Sequence, residues 1–403
     1  MADEREFDVI LWGATGFTGQ RVATKLAARS GDARWAIAGR NERKLREIAA
    51  SFEPRPQIVV ADSFDRASLE AMARRTRAIA TTVGPYAQYG TPLVEACIAN
   101  GTHCCDLTGE PHWIRTLVDE HHDAARQAGV RIVNCCGFDS IPSDLGAFLV
   151  QEHALEGYGE PCDEVRAVVW KMVGGMSGGT VASATGIAQA ARDPQVREIL
   201  GAPYSLNPPG QRRGADDGRR VSRAIYYDDL ETWTAPFFMA TVNAKIVRRS
   251  NALLGMRFGD YRYDERIRAG SGITGRLKAE AITAAVGTAP AALGIDPLRR
   301  LLEKTVLPSP GEGPSEEQLA RGMFEFRIVG AWDGRSERIT ARVAANSDPG
   351  YGATATMLAE SALCLALDDL PDNAGIMTPA SAMGDALLAR LRAAQMQFEV
   401  LQH

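Results

Sequence analysis

Near its start the chain sets a buried strand, a glycine turn and a helix in immediate succession. Asp8 to Trp12 (DVILW) reads as the strand, and Gly13-Ala-Thr-Gly16-Phe-Thr-Gly19 follows it directly. Arg21 to Arg29 then carries Val22, Leu26 and Ala27 on one side, as an amphipathic helix does. This succession commits the chain to a parallel α/β unit. Gly13 suits the tight turn, Gly16 a close approach of backbone to a pyrophosphate, and Gly19 close packing of helix on strand. The N–H groups at the helix start would then face phosphate charge. The spacing is GxxGxxG rather than GxGxxG, so the flanking strand and helix carry much of the argument. The alternative is a glycine-rich βα turn that binds nothing.

A second strand, Trp35 to Ala38, ends in Gly39-Arg40-Asn41. Sites for NAD place Asp or Glu about 20 residues beyond the glycines to hold the ribose 2′-OH, whereas an arginine there suits a 2′-phosphate. Arg40 therefore predicts NADPH over NADH.

At 403 residues the chain exceeds one typical domain, so two are expected. Strands at Val9–Trp12, Trp35–Ala38, Gln57–Ala61, Ala78–Val83, Thr102–Asp106 and Arg131–Cys135 alternate with helical patterns at Glu42–Ala50, Asp65–Arg75, Thr91–Asn100 and Pro111–Ala128. That alternation predicts a Rossmann-type, doubly wound parallel sheet over residues 1–146, binding NADP. Residues 147–349 read as a second, α+β domain for substrate or partner. Val165–Val173 is a strand, and Met323–Trp332 and Glu337–Ala345 flank the hairpin signal Asp333-Gly334, so its sheet is mixed or antiparallel. Asn207 to Arg223 reads as a mobile polar surface loop and Pro308 to Pro314 as a linker. Residues 350–403 hold helical patterns at Thr354–Leu367 and Ser381–Phe398, expected to pack back on the first domain.

A net charge of −5 gives no electrostatic case for nucleic-acid binding. The seven cysteines form no CxxC pair, and Cys104-Cys105 and Cys135-Cys136 read as small buried hydrophobes in a reducing compartment. The acidic, polar N-terminus is not a signal peptide, and the chain reads as cytoplasmic. Met172 to Ala191 is uncharged but too rich in Gly, Ser and Thr to span a bilayer. Ala281 to Ile295 is uncharged, short and interrupted by Pro290. It reads as a buried helix, with peripheral membrane or acyl-chain contact as the alternative.

Loops after strands four, five and six face the ligand in such a sheet. The first is Gly84-Pro85-Tyr86-Ala87-Gln88-Tyr89-Gly90, where Gly84 and Pro85 let backbone run near the cofactor. The second holds Asp106 and Glu110, the third Asp139 and Asp144. These acids are read chiefly as caps, Asp106 and Glu110 for the helix near Pro111, Asp139 and Asp144 for the next one. Tyr86 is the candidate general acid, because a phenol after strand four can donate a proton; an aromatic wall for the nicotinamide is the other reading. There is no Tyr-x-x-x-Lys pair, HExxH, GxSxG or P-loop, and nothing suggests a metal. His121-His122 is read as solvated on a polar helix face. Arg248-Arg249 could meet substrate carboxylates, a phosphopantetheine phosphate or an acidic carrier surface, or be a solvated basic face.

The motifs GATGFTG, AGR, TTVGPYAQYG, DLTGE and CGFDSIPSDLG, in this order, resemble the saccharopine dehydrogenase-like oxidoreductases. Met176-Ser-Gly-Gly-Thr180, Ala244 to Leu253, Pro308 to Pro314 and Met377 to Gly384 further resemble the trans-acting enoyl reductases of mycobacterial lipid synthesis. The resemblance spans nearly the whole chain. It implies a reductase separate from the polyketide synthase it serves. That enzyme would reduce the trans double bond of a carrier-bound acyl thioester, on the pathway to phthiocerol and phenolphthiocerol lipids. By position Gly13, Thr15, Gly16, Phe17, Gly19 and Arg40 match cofactor residues; Thr18, Asp62, Gly84 and Pro85 complete the candidate set for NADP(H). The resemblance supplies no proton donor. Saccharopine-type amino-acid reduction and a non-catalytic NADP-binding scaffold are the alternatives.

Overall fold

Phe7–Trp12 (β1) is apolar but for Asp8 and is buried along its whole length, so it needs cover on both faces. In the computed structural model, which describes residues 5–174, 178–216, 223–294 and 314–402, β1 is central to a parallel sheet. Trp35–Gly39 (β2) and Gln57–Val60 (β3) lie on one side of it. Thr76–Thr81 (β4), His103–Cys105 (β5) and Arg131–Val133 (β6) lie on the other. The connecting helices are Phe17–Arg29 (α1), Glu42–Ala49 (α2), Arg66–Arg74 (α3), Tyr86–Ala99 (α4) and Pro111–Gln127 (α5).

Strand alternation divides β1 between two cores. Ile10 and Trp12 pack with Leu69, Met72, Leu93 and Trp113 of α3, α4 and α5. Val9 and Leu11 pack with Val22, Leu26 and Leu45 of α1 and α2. That second core runs on without a break into the other half of the molecule, through Phe148, Phe324 and Phe326.

Ile141–Tyr158 (α6) leads into a mixed sheet. Its strands are Glu164–Val173 (β7), Ile225–Tyr227 (β8), Thr232–Pro236 (β9), Arg262–Gly270 (β10), Met323–Ala331 (β11) and Arg338–Ala345 (β12). β7 and β10 are parallel and central, and β11 and β12 form the predicted antiparallel hairpin, with Ala331 opposite Arg338. Gly178–Ala190 (α7), Pro194–Gly201 (α8), Ala240–Leu253 (α9), Gly272–Gly294 (α10) and Glu316–Ala320 (α11) complete this half.

The chain then returns. Thr354–Leu367 (α12) packs on α1 and on β1, β4 and β5, where Met357 and Leu358 join their core. Gly375–Met377 (β13) adds a seventh parallel strand beside β6. Pro379–Ala393 (α13) packs on α6 and α12, and Gln397–Leu401 (β14) joins the edge of the mixed sheet beside β12. The final helical pattern thus stops before Phe398, which lies in a strand. Helical periodicity and an apolar strand share the same residue types over so short a run.

In the helix read as buried at Ala281–Ile295, residues 281–288 are exposed or half-buried. α10 packs on β9 and β10 through Ala279, while Ile273 and Leu277 project outward at 79% and 61% exposure. Ile295 and the linker at 308–313 lie outside the described residues, as do 175–177 of the uncharged run and 217–222 of the polar loop. The described part of that loop is docked: Asn207 is buried and Asp216 accepts from Arg248 and the Tyr263 N–H. All seven cysteines are free and buried. No helix among the described residues is long and apolar enough to cross a membrane.

Candidate active site

The glycine turn has the form that the sequence demands. Gly13 adopts φ +94°, and a Cβ there would press on Thr82 and Val83. A Cβ on Gly19 would overlap the carbonyl of Gly13, so α1 sits against the turn as only glycine permits. Gly16 is different: it is exposed, and a Cβ there would meet only the Gly13 carbonyl at an ordinary 3.5 Å. Nothing inside the protein requires glycine at 16, so the open side of the turn is left for a ligand. The start of α1 also lacks a capping side chain and any first-turn acid, whereas α2 and α3 are capped by Asn41 and Asp65. A nucleotide pyrophosphate fits this uncapped terminus.

Thr15 stands beside Gly39, at the end of β2. Arg40 follows, exposed and without an ion pair among the described residues. Thr18 lies in the first turn of α1, and Phe17 packs edge-on against Tyr351 with Arg21 over its ring. Asp62 accepts from the Phe64 N–H at 2.9 Å, which shapes the loop after β3. Phe64 was missed by sequence reasoning. Its ring is 78% exposed and edge-on to Tyr89, an apolar shelf beside the nucleotide loops. An aromatic between polar loop residues leaves no periodic signal in the sequence.

Gly84 and Pro85 lie between β4 and α4, beside Tyr86. The structure corrects the reading of Tyr86 as general acid. Its ring is buried and stacked on Trp113. Its hydroxyl donates to the Thr81 carbonyl at 3.1 Å and accepts from the Leu107 N–H at 3.2 Å. Burial, reinforced by the Asp106 carboxylate, pushes the phenol well above its ordinary range. The residue ties the end of β4 to the loop after β5. Tyr86→Phe is expected to cost about 1–2 kcal/mol, from the lost bond and the orphaned Leu107 N–H, with turnover unchanged. Thermal melting and NADPH oxidation check this together.

Two of the four acids are capping groups, though not for the expected helices. Glu110 accepts from the N–H groups of Tyr86 and Ala87, both at 3.0 Å, and from Ser183 Oγ. It therefore caps α4 and fastens α7 over the loop, rather than capping α5. Asp144 accepts from Ser250 Oγ and from the Ala380 N–H, so it holds α13 and α9 to α6. Asp106 accepts from Thr108 N, Asn134 Nδ2 and Cys135 N, and burial lifts its carboxyl to about 6. Asp139 alone of the four has no hydrogen bond from another described residue.

Arg248 and Arg249 are neither a solvated face nor open to a ligand. Arg249 is 1% exposed and donates to the carbonyls of Leu206 and Ile376; burial, with Arg115 nearby, lowers its guanidinium to about 9. Arg248 bonds Asp216 and the Pro203 carbonyl. His122 is likewise committed, accepting from the Ile376 N–H at 3.1 Å.

Residues 9–133 match the saccharopine dehydrogenase NADP-binding domain. A trans-acting enoyl reductase of Mycobacterium tuberculosis is 40% identical, over 96% of this chain and 96% of that protein. One of Mycobacterium leprae is 38% identical, over 97% of each. Among solved structures, the apo saccharopine dehydrogenase (L-Glu forming) of Saccharomyces cerevisiae shares the fold, with a TM-score of 0.53 at 13% identity over 98% of this chain and 99% of that one. The exposed glycine, the uncapped helix and the unpaired Arg40 agree with NADP(H) as the cofactor. With relatedness running through both halves, the chain belongs to the trans-acting enoyl reductase family and carries its NADP-binding domain on a saccharopine dehydrogenase fold.

Proposed function

We propose that this protein uses NADPH to reduce the trans C=C of a polyketide or fatty acyl thioester in complex-lipid (phthiocerol and phenolphthiocerol) biosynthesis. The substrate is presented by the acyl carrier protein of a separate synthase. The observation that carries this reading is relatedness to trans-acting enoyl reductases over the whole length, second domain included. A shared NADP domain alone would fit many reductions.

Bound NADPH supplies the hydride that adds to the β-carbon. Gly16 and the first N–H groups of α1 would hold its pyrophosphate, with Gly13 and Gly19 shaping the turn; Arg40 would meet its 2′-phosphate, and Phe64 and Asp62 would flank the nucleotide end. Phe138 packs against Phe324 and Phe326, an apolar seam between the two sheets that would keep water from the reacting carbons. The arginines that a substrate with several carboxylates would need are bonded elsewhere, which weighs against saccharopine-type reduction.

The full chain is incubated with NADPH and an enoyl thioester on a carrier protein, and separately with saccharopine-type imine precursors, while cofactor absorbance is followed. Oxidation with the enoyl substrate alone is expected. Oxidation only with the imine precursors transfers the protein to the alternative reaction, and NADPH binding without any turnover makes it a scaffold. Arg40→Ala is expected to weaken NADPH about 10- to 100-fold, the loss of charge-assisted phosphate bonds, and to leave NADH nearly unchanged. Calorimetric titration of both cofactors measures it; equal losses for the two would show that Arg40 does not read the phosphate.

A further inference from the structure

Addition of hydride to a C=C leaves the α-carbon to be protonated, and Tyr86 is tied into the backbone. Resting on the enoyl-reductase reading above, we infer that Asp139 is the catalytic residue that donates this proton. Asp139 follows β6, at the carboxyl edge where a doubly wound sheet places its ligand. Its neighbour Phe138 packs on Phe324 and Phe326 of the mixed sheet, and the Phe138 N–H is held by Thr354 Oγ1 at 3.1 Å. The loop is therefore fixed at the seam between the halves. Asp139 itself is half-buried.

Gly137 makes this placement possible. A Cβ at 137 would lie 2.8 Å from Asp139 Oδ2, 2.7 Å from Leu107 Cδ2 and 3.0 Å from Thr354 Cγ2. The carboxyl thus folds back over a bare backbone. Asp106, Glu110 and Asp144 spend their oxygens on backbone and side-chain donors. Asp139 receives only its own N–H among the described residues, so its oxygens remain available. Its charged surroundings are the Asp106 carboxylate, with the Tyr86 phenol and the Cys135 thiol facing it in neutral form. Burial, with Asp106 adding repulsion, raises its carboxyl to about 7, so it still carries a proton near neutrality.

The step balances simply. The electron pair displaced from the C=C by the arriving hydride takes the proton from the Asp139 carboxyl. One O–H bond breaks, one α-C–H bond forms, and the carboxylate left behind takes up a proton from solvent before the next turnover. Because the protonated form is the active one, turnover should fall as pH rises through about 7.

Asp139→Asn and, as a second variant, Asp139→Ser are compared with the wild type. Each is first shown to melt cooperatively and to bind NADPH with wild-type affinity. Turnover of the enoyl thioester is expected to drop about 100- to 1,000-fold, within the usual range for a general acid, and its fall at high pH to disappear. Independently of any substrate, the infrared difference between wild type and Asp139→Asn should contain a protonated-carboxyl band at pH 6 that bleaches by pH 8. A carboxylate already ionised at pH 5 overturns the assignment, as does a variant that keeps wild-type rate and pH profile. A wild type that turns over no enoyl thioester sinks the proposed function instead, and the infrared measurement still decides the state of Asp139.

Discussion

Gly19→Val is expected to abolish NADPH binding. The first atom of any side chain at 19 would overlap the carbonyl oxygen of Gly13 and approach Ala14 Cα at 2.9 Å. These are backbone atoms of the turn, so no rotamer change relieves them. Either α1 moves away from β1 or the turn opens, and both take the helix N–H groups off the phosphate. Overpacking typically costs about 1–3 kcal/mol, and an immovable backbone puts this position at the upper end. Affinity should fall by at least about 100-fold, the loss of several hydrogen bonds to one charged group. Calorimetry with NADPH and a thermal melt separate the two effects. Gly16→Ala is the informative contrast. Its Cβ has room in the protein, so it should melt near wild type and lose affinity alone; unchanged affinity would falsify the placement of the pyrophosphate at the turn.

The second large effect lies far from the cofactor. Arg249→Ala is expected to destabilise the protein by about 2–6 kcal/mol, since the carbonyls of Leu206 and Ile376 each lose their charged donor at roughly 1–3 kcal/mol. The guanidinium joins α9 to β13 and to Leu206 in the loop after α8, so loss of the group loosens both halves at once. Denaturant unfolding measures the cost. Any protein that still folds should show an unchanged KM for the enoyl substrate. A large rise in KM with normal stability would return Arg249 to the substrate site.

Local signals carried the first half of the fold. The strand, glycine turn and helix around residues 7–29, and the strand ending at Arg40, depend on neighbours in sequence, so hydropathy and glycine spacing expose them. The β11–β12 hairpin was legible for the same reason, through Asp333-Gly334. β13 and β14 were not. Each is a short edge strand whose partner lies far away in the chain, and no local pattern encodes that partner. The polar residues show the same division. The sequence marks Glu110 and Asp144 as helix-capping types, but which helix they cap depends on tertiary contacts, and both chose a distant one. Arg248 and Arg249 were open between a ligand contact and a solvated face, because charge is usually at the surface. Their burial is supported by carbonyls and by Asp216, which sequence spacing does not bring together. Tyr86 was read in a loop after strand four but opens α4, and the direction of its hydroxyl follows from the Thr81 and Leu107 backbone.

The positions of β13 and β14 have a consequence for the making of the protein. One completes the parallel sheet beside β6 and the other the mixed sheet beside β12, with α13 between them. On the ribosome, residues 375–401 emerge after the other strands of the two sheets. Until they do, β6 and β12 each present an open row of N–H and C=O groups, the kind of edge that invites pairing with another chain. Neither half can close early and wait for the other. Release of a single late segment finishes both, so the growing chain is most exposed to aggregation shortly before its synthesis reaches that segment.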